Sequence, residues 1–398
     1  MESKLHNYGL GVLFAGNVFG AGSVYILADT GANFAFALLW VLPLAFLIDI
    51  AMHDMSARLA VEDKPLATYI VAQMPRGGPI LVISMALMSA LWAVSNYAVA
   101  GAALAWLLPF TNNILVGILL AAGLGIALVQ LKMYNRIEGA IAIMVFSVFG
   151  SYGLLLAGID VNVTDVARGL VPLIQTEIGY LTAVISLLGT TVYWPNFYIQ
   201  SSIYPTNRWN DIWRYRRDNA AGIMITLIVG SFVMIVSAVT LTQSELSLTA
   251  PGQPLVDAIG PVALVLFVIA VFLAAITSGT GTLFGAGVMI PQAMGMRGVF
   301  GKLPFRTAVI SLIIISVPVS VGMLSYTDFT PVRLGILMPA VNGLIGLPVT
   351  AIAMILAVNR YTEVKRSHNI GFMIAAGVLL IGSLLTAQSL YETVVSLL

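Results

Sequence analysis

The sequence predicts an all-α polytopic membrane protein of eleven transmembrane helices, arranged as two inverted five-helix repeats and one extra helix. Three observations predict it. Of 398 residues, 59% are hydrophobic and only 9% charged, with a mean hydropathy of +0.99, which is membrane rather than soluble composition. The basic residues collect on one side of the apolar runs. Finally, two runs in matching positions of the two halves are interrupted, at Ala15 to Val24 (AGNVFGAGSV) and Gly189 to Tyr198 (GTTVYWPNFY).

Apolar runs fall at about 8–28, 34–60, 79–108, 112–131, 138–159, 178–204, 219–243, 256–290, 306–325, 332–358 and 370–391. Each is long enough to cross about 30 Å of hydrocarbon. The stretch at 62–76 (EDKPLATYIVAQMPR) is too short and polar to be another. With the N-terminus cytoplasmic, sixteen of the eighteen Lys and Arg residues lie at inner ends, and only Arg168 and Arg333 lie outside. That bias sets an N-in, C-out orientation. Five spans per half reverse direction, so repeat one is expected at about 8–159, repeat two at about 178–358 and the extra helix at about 370–391. No soluble domain fits between spans, and 1–398 reads as one transmembrane domain. The charged start runs into the first span without a cleavage motif.

Cysteine is absent, which excludes disulfides and thiolate metal sites, and a net charge of +1 gives no basis for a nucleic-acid partner. No phosphate-binding loop, nucleophile triad or paired catalytic carboxylates occur, so no enzyme and no cofactor are expected.

In span 1, Gly16, Gly20 and Gly22 sit mid-run. Such glycines mark either close helix packing or a broken helix. In span 2, Asp49, His53 and Asp54 stand at i, i+4 and i+5, which puts Asp49 and His53 on one face. Ionisable groups at depth suggest function, and Asp49 and His53 are candidates for the coupling ion. Near Arg58, a paired structural role competes for Asp54 and His53. In span 6, Thr190, Thr191 and Val192 are β-branched and Pro195 has no N–H to give. Either this is a proline kink, or it is non-helical backbone that lines a cavity. Two interrupted helices in corresponding places point to a secondary transporter's substrate site. The basic, aromatic stretch 207–219 (NRWNDIWRYRRDN) reads as an interfacial anchor, with a gating contact as the alternative. Span 8 offers Thr277, Ser278, Thr280 and Thr282. They either complete a Na⁺ site with carbonyls of the first break or bond back to the preceding turn.

Four stretches resemble the NRAMP family of proton-coupled divalent-metal transporters. GANFAFALLW (31–40) with SARLAV (56–61) is similar to the family's first and second helices. GTTVYWPNFYIQSS (189–202) is similar to the sixth, AAITSGTGTLFGAGVM (274–289) to the eighth and LMPAVNGLIGLPVTAIAMILAVNR (337–360) to the tenth. The resemblance implies a LeuT-type 5+5 inverted repeat with helices 1 and 6 broken, working by alternating access in a bacterial plasma (inner) membrane. The chain departs from the family where the chemistry lives. The first-helix Asp-Pro-Gly-Asn aligns with Gly20-Ala21-Gly22-Ser23, and the sixth-helix Met-Pro-His with Tyr193-Trp194-Pro195. The tenth-helix glutamine becomes Pro339, acidic positions of the third helix fall at Asn96 and Val99, and a sixth-helix histidine falls at Gln200.

A dehydrated divalent metal needs charged hard ligands, and both breaks offer only neutral groups, so no metal ligand is expected there. Helix N-termini near Gly22-Ser23 and Pro195-Asn196 would favour an anion or carboxylate instead. Tyr193 and Trp194 supply aromatic surface for an organic body. The expected function is therefore an NRAMP-like secondary transporter with a neutral site for a small organic anion or zwitterion. The expected substrate site comprises Gly20, Ala21, Gly22, Ser23, Thr191, Tyr193, Trp194 and Asn196, with H⁺ or Na⁺ as coupling ion. The alternative is a transporter of a divalent metal cation of Mn²⁺ or Mg²⁺ type that keeps waters in its inner shell. A sensor or scaffold on a transporter frame is the third reading. Expected partners are the substrate and the lipid bilayer.

Overall fold

The structure, a computed structural model, describes residues 10–108, 113–130, 134–173, 175–203, 211–241 and 246–397. The described residues are almost wholly helical. The first half opens with α1 (Leu10–Val18) and α2 (Ala21–Phe34), followed by α3 (Val41–Val61), a short α4 (Leu66–Gln73), α5 (Gly78–Leu107), α6 (Ile114–Gln130) and α7 (Tyr134–Leu155). A connecting helix, α8 (Val163–Gly169), leads to the second half. That half opens with α9 (Ile178–Thr191) and α10 (Trp194–Ser201), and continues with α11 (Ile212–Thr240), a short α12 (Gln253–Ile259), α13 (Val262–Ala293), α14 (Leu303–Tyr326) and α15 (Pro331–Tyr361). The last helix is α16 (Arg366–Leu397).

Each half thus begins with a helix broken in its middle, the architecture expected of two inverted five-helix repeats. Among the described residues, seven helical stretches are long and apolar enough to cross a membrane: 78–107, 178–201, 212–240, 262–293, 303–326, 331–361 and 366–388. The other four expected spans are occupied by α1 with α2, α3, α6 and α7. The first part of the 207–219 stretch, through residue 210, lies outside the described residues.

Helix ends are fixed by local chemistry. Asn162 Oδ1 accepts from Thr164 N at 3.0 Å, and Asp211 Oδ1 from Trp213 N at 2.9 Å. These start α8 and α11, and such caps are worth about 1 kcal/mol each. Outward faces stay apolar: Leu384 of α16 is 69% exposed and Leu47 of α3 64%, as a lipid-facing surface requires.

The interior is built on small residues. An ideal Cβ on Gly279 of α13 would stand 3.0 Å from Asn96 Cβ of α5, and one on Gly22 of α2 would stand 2.6 Å from the Gly335 carbonyl of α15. Gly189 of α9 meets Gly343 and Pro339 of the same α15. Backbones at this distance pack without a hydrophobic driving force between helices. The half helices α2 and α9 are thereby clamped to α15, which aligns the two breaks. At the far end of α3, Asp54 accepts from Arg58 Nε at 3.0 Å and from Arg216 Nε at 2.5 Å. Arg58 Nη2 also lies 2.9 Å from His368 Nδ1. This ties α3 to α11 and α16, so Asp54 has the paired structural role.

Candidate functional site

The first break leaves Phe19 and Gly20 unwound between α1 and α2, with Gly20 extended at φ −81°, ψ 178°. The second leaves Val192 and Tyr193 unwound between α9 and α10, at φ −86°, ψ 92° and φ −96°, ψ 88°. The sequence cause is direct. Pro195 in the first turn of α10 would collide with the carbonyl of Thr191 if the helix ran on. At that turn its missing N–H costs nothing.

A helix that ends inside a membrane must give its last carbonyls other partners. Those of α1 are satisfied by side chains from three other helices. Asn196 Nδ2 of α10 donates to Phe14 O at 3.3 Å, Ser278 Oγ of α13 to Asn17 O at 2.7 Å, and Ser23 Oγ of α2 to Val18 O at 2.5 Å. The single O–H of Ser23 is thereby committed, so Thr190 Oγ1 of α9 donates to Ser23 Oγ at 2.5 Å. Asn17 Nδ2 closes the set by donating to Asn196 Oδ1 at 2.9 Å. These neutral hydrogen bonds, linked through the Asn17–Val18 peptide, form a chain that joins both breaks.

Two oxygens in this region are buried without a hydrogen-bond partner: Asn17 Oδ1 and Asn96 Oδ1. Their identity as oxygens follows from the network. Asn96 Nδ2 donates to Trp92 O at 3.0 Å, and a carbonyl accepts only from the nitrogen end. Asn196 is oriented likewise by Phe14 O, which orients Asn17 in turn. Asn96 Oδ1 would lie 3.2 Å from a Cβ on Gly20, and Ser278 Oγ would overlap that Cβ. Buried orphan acceptors cost roughly 1–3 kcal/mol each unless something with positive charge or a proton meets them.

The expected site residues occupy different places around this chain. Ser23 and Asn196 are within it. Thr191 lines a cavity of about 20 Å³ together with Ser23, Thr190 and Thr226, which is room for about one water. Gly20 is pressed against Ser278, Ala21 is fully buried, and the approach of Gly22 is to the backbone of α15. The Tyr193 ring packs 4.3 Å from that of Trp92, and its hydroxyl meets Thr282 Oγ1. Trp194 is fully buried, with its indole nitrogen against Gly346. Ser278 bridges to α1, whereas Thr277 Oγ1 donates back to Leu273 O at 2.8 Å, within its own helix. Sequence reasoning missed Asn17, whose place one turn before the break was readable but whose unpartnered oxygen was not.

Asp49 and His53 are both buried, and Asp49 Oδ1 has no hydrogen-bond partner. His53 Nδ1 lies 2.7 Å from Gln200 Oε1 of α10, and His53 Nε2 lies 3.7 Å from Asp49 Oδ1. With Gln200 Oε1 accepting, Nδ1 carries the hydrogen. Nε2 and the Asp49 carboxyl then face each other at that separation, beyond hydrogen-bond reach. A cavity of about 580 Å³ between α3, α11 and α16 is lined by His53, Asp54 and Arg216. Among the described residues, no three His, Asp or Glu side chains gather as a metal cluster.

Comparison with known proteins accounts for the frame. The chain is 28% identical over 312 residues to the divalent metal cation transporter MntH of Pediococcus pentosaceus, covering 71% of this chain and 68% of that protein. A manganese transporter from Eremococcus coleocola superposes with a TM-score of 0.76 at 19% identity, over 97% of this chain and 87% of that one. Mhp1, a nucleobase-cation-symport-1 family transporter, superposes at 0.64 with 12% identity, over 97% of this chain and 93% of the other. These neighbours share the LeuT-type fold of two inverted five-helix repeats, in which the breaks between α1 and α2 and between α9 and α10 fall in helices 1 and 6. The model of the natural resistance-associated macrophage protein-like family matches residues 11–392. A chain that this model matches over nearly its whole length, and that carries seven such membrane-crossing helices among its described residues, is an integral membrane transporter and belongs to the Nramp family.

Proposed function

We propose that the chain is a secondary transporter of a divalent metal cation, carried with part of its water shell. The observation that carries this reading is the pair of unpartnered acceptors, Asn17 Oδ1 and Asn96 Oδ1, beside the first break. Acceptor oxygens suit a cation or its coordinated waters and repel an anion. Kinship points the same way, because the Pediococcus relative is named a divalent metal cation transporter. The absence of a carboxylate among Ser23, Asn17, Asn196 and Ser278 sets the finer part. Stripping a divalent ion completely would cost more than neutral oxygens return, so the ion keeps waters. The organic-anion reading rests on the helix N-termini of α2 and α10, and the two unpartnered acceptor oxygens beside the first break oppose it.

The coupling ion in this proposal is a proton held by Asp49 and His53. The working unit is the whole chain as one domain, with repeats at about 8–159 and 178–358 and the extra helix at about 370–391. Its N-terminus faces the cytoplasm and its C-terminus the outside of a bacterial inner membrane. The test is uptake by vesicles containing the purified chain, offered Mn²⁺, Mg²⁺, amino acids and small carboxylates in turn. Saturable divalent uptake is expected. Saturable exchange of an organic anion with no divalent uptake would overturn the proposal.

A further inference from the structure

Asp29 lies nine residues beyond Gly20 on α2, about 13 Å along the helix from the first break. It lines a cavity of about 450 Å³ between α2, α9 and α15, with Thr30, Asn33, Thr182 and Ser186. Asn33 Nδ2 donates to Asp29 Oδ1 at 3.0 Å. No Lys, Arg or His lines this cavity, and among the described residues Asp29 enters no ion pair. The carboxylate is partly buried in the wall of a membrane protein with no basic counterion. That arrangement is costly unless a proton or a mobile cation supplies the missing charge.

The surroundings fit a hard cation. A carboxylate with amide and hydroxyl oxygens is the donor set of Mg²⁺, Ca²⁺ and Mn²⁺. Asp29 and Asn33 also stand in the last turns of α2, where the carbonyl end of the helix favours positive charge. Size fits as well: six waters at about 30 Å³ each need about 180 Å³, less than half of the cavity. With the basic loops inside, the Asp29 end of α2 faces the outside.

We infer that Asp29 and Asn33 form a second cation site, which captures a hydrated divalent metal ion at the entrance before it reaches the breaks. The site supplies the fixed negative charge that the breaks lack. This inference rests on the cation reading above for its role in transport, but not for binding itself.

The test is Mn²⁺ binding to the purified full chain by calorimetry, beside Mn²⁺ uptake by vesicles, for the wild type, Asp29→Asn and Asp29→Glu. Asp29→Asn is expected to weaken binding by at least about tenfold, the loss of one charge partner at low dielectric. It is also expected to raise the half-saturating external Mn²⁺ by a similar factor and to leave the maximal rate near that of the wild type. Asp29→Glu is expected to keep binding. Should Asp29→Asn melt earlier than the wild type in metal-free buffer, Asn33→Leu serves in its place, with weaker binding again expected. Wild-type protein that binds no Mn²⁺, or an Asp29→Asn or Asn33→Leu variant that binds it as the wild type does, would overturn the inference. Binding lost in Asp29→Asn when wild-type vesicles take up no Mn²⁺ would uphold the site and overturn the transport reading instead.

Discussion

Ser23 Oγ and Thr190 Oγ1 lie 2.5 Å apart, 167 residues distant in the chain. They join the second half helix of span 1 to the first half helix of span 6. Because Ser23 already donates to Val18 O, the bond requires Thr190 as donor, and it holds the two breaks in register. Ser23→Ala and Thr190→Val are each expected to lower the melting temperature of the purified protein. Their double-mutant coupling is expected at about 1 kcal/mol. Strictly additive effects would mean that the hydroxyls do not act as a pair.

The two breaks were legible in the sequence, because proline, glycine and β-branched residues write their backbone consequences locally. Gly20 and Val192 to Pro195 needed no tertiary information. What Gly22 faces was not legible, since it depends on Gly335 of α15, more than three hundred residues away. Trp194 illustrates the same limit. An aromatic beside a break suits a ligand or a packed core equally well in sequence, and only the position of Gly346 shows what it touches. Asn17 and Asp29 escaped attention for another reason. Each is a single polar residue whose meaning comes from an unpartnered oxygen or a cavity wall, and neither leaves a pattern of spacing.

Proton coupling gives the next prediction. In Asp49→Asn the carboxyl facing His53 Nε2 is replaced by an amide that takes up no proton. Vesicles carrying this variant are expected to take up Mn²⁺ down its own gradient and to lose the stimulation given by an imposed pH gradient. His53→Gln is expected to do the same. Unchanged stimulation in both variants would remove Asp49 and His53 from the coupling path.

Selectivity follows from ligand softness. Among the side chains at the breaks, Ser23, Thr190, Tyr193 and Asn196, none is a thioether. Hard neutral oxygens separate Mn²⁺ from Mg²⁺ poorly, since raw discrimination among these ions comes from ligand type and geometry. Half-inhibition of Mn²⁺ uptake by Mg²⁺ is expected within about tenfold of the Mn²⁺ concentration that half-saturates transport. Competition requiring a thousandfold excess would show that softer or more exacting coordination is present.

Gly20 is the position on which the choice between cation and anion turns. A Cβ there overlaps Ser278 Oγ and stands 2.5 Å from Ser278 Cβ, so any substitution in the native background reports crowding before charge. Ser278→Gly removes both obstructing atoms and costs the bond to Asn17 O, an effect common to every variant built on it. In that background, Gly20→Asp and Gly20→Asn differ by charge and hardly at all in size. A unit negative charge about 4 Å from a divalent cation, at an effective dielectric of about 20, contributes about 8 kcal/mol before desolvation is subtracted. Desolvation removes most of this. Mn²⁺ binding by the aspartate variant is still expected to exceed that of the asparagine variant by at least about tenfold, a margin of about 1.4 kcal/mol. For an anionic substrate the order reverses, because the same carboxylate repels it. Equal Mn²⁺ binding by the two variants would show that the ion does not approach the first break, and would move the transport site away from Asn17 and Asn96.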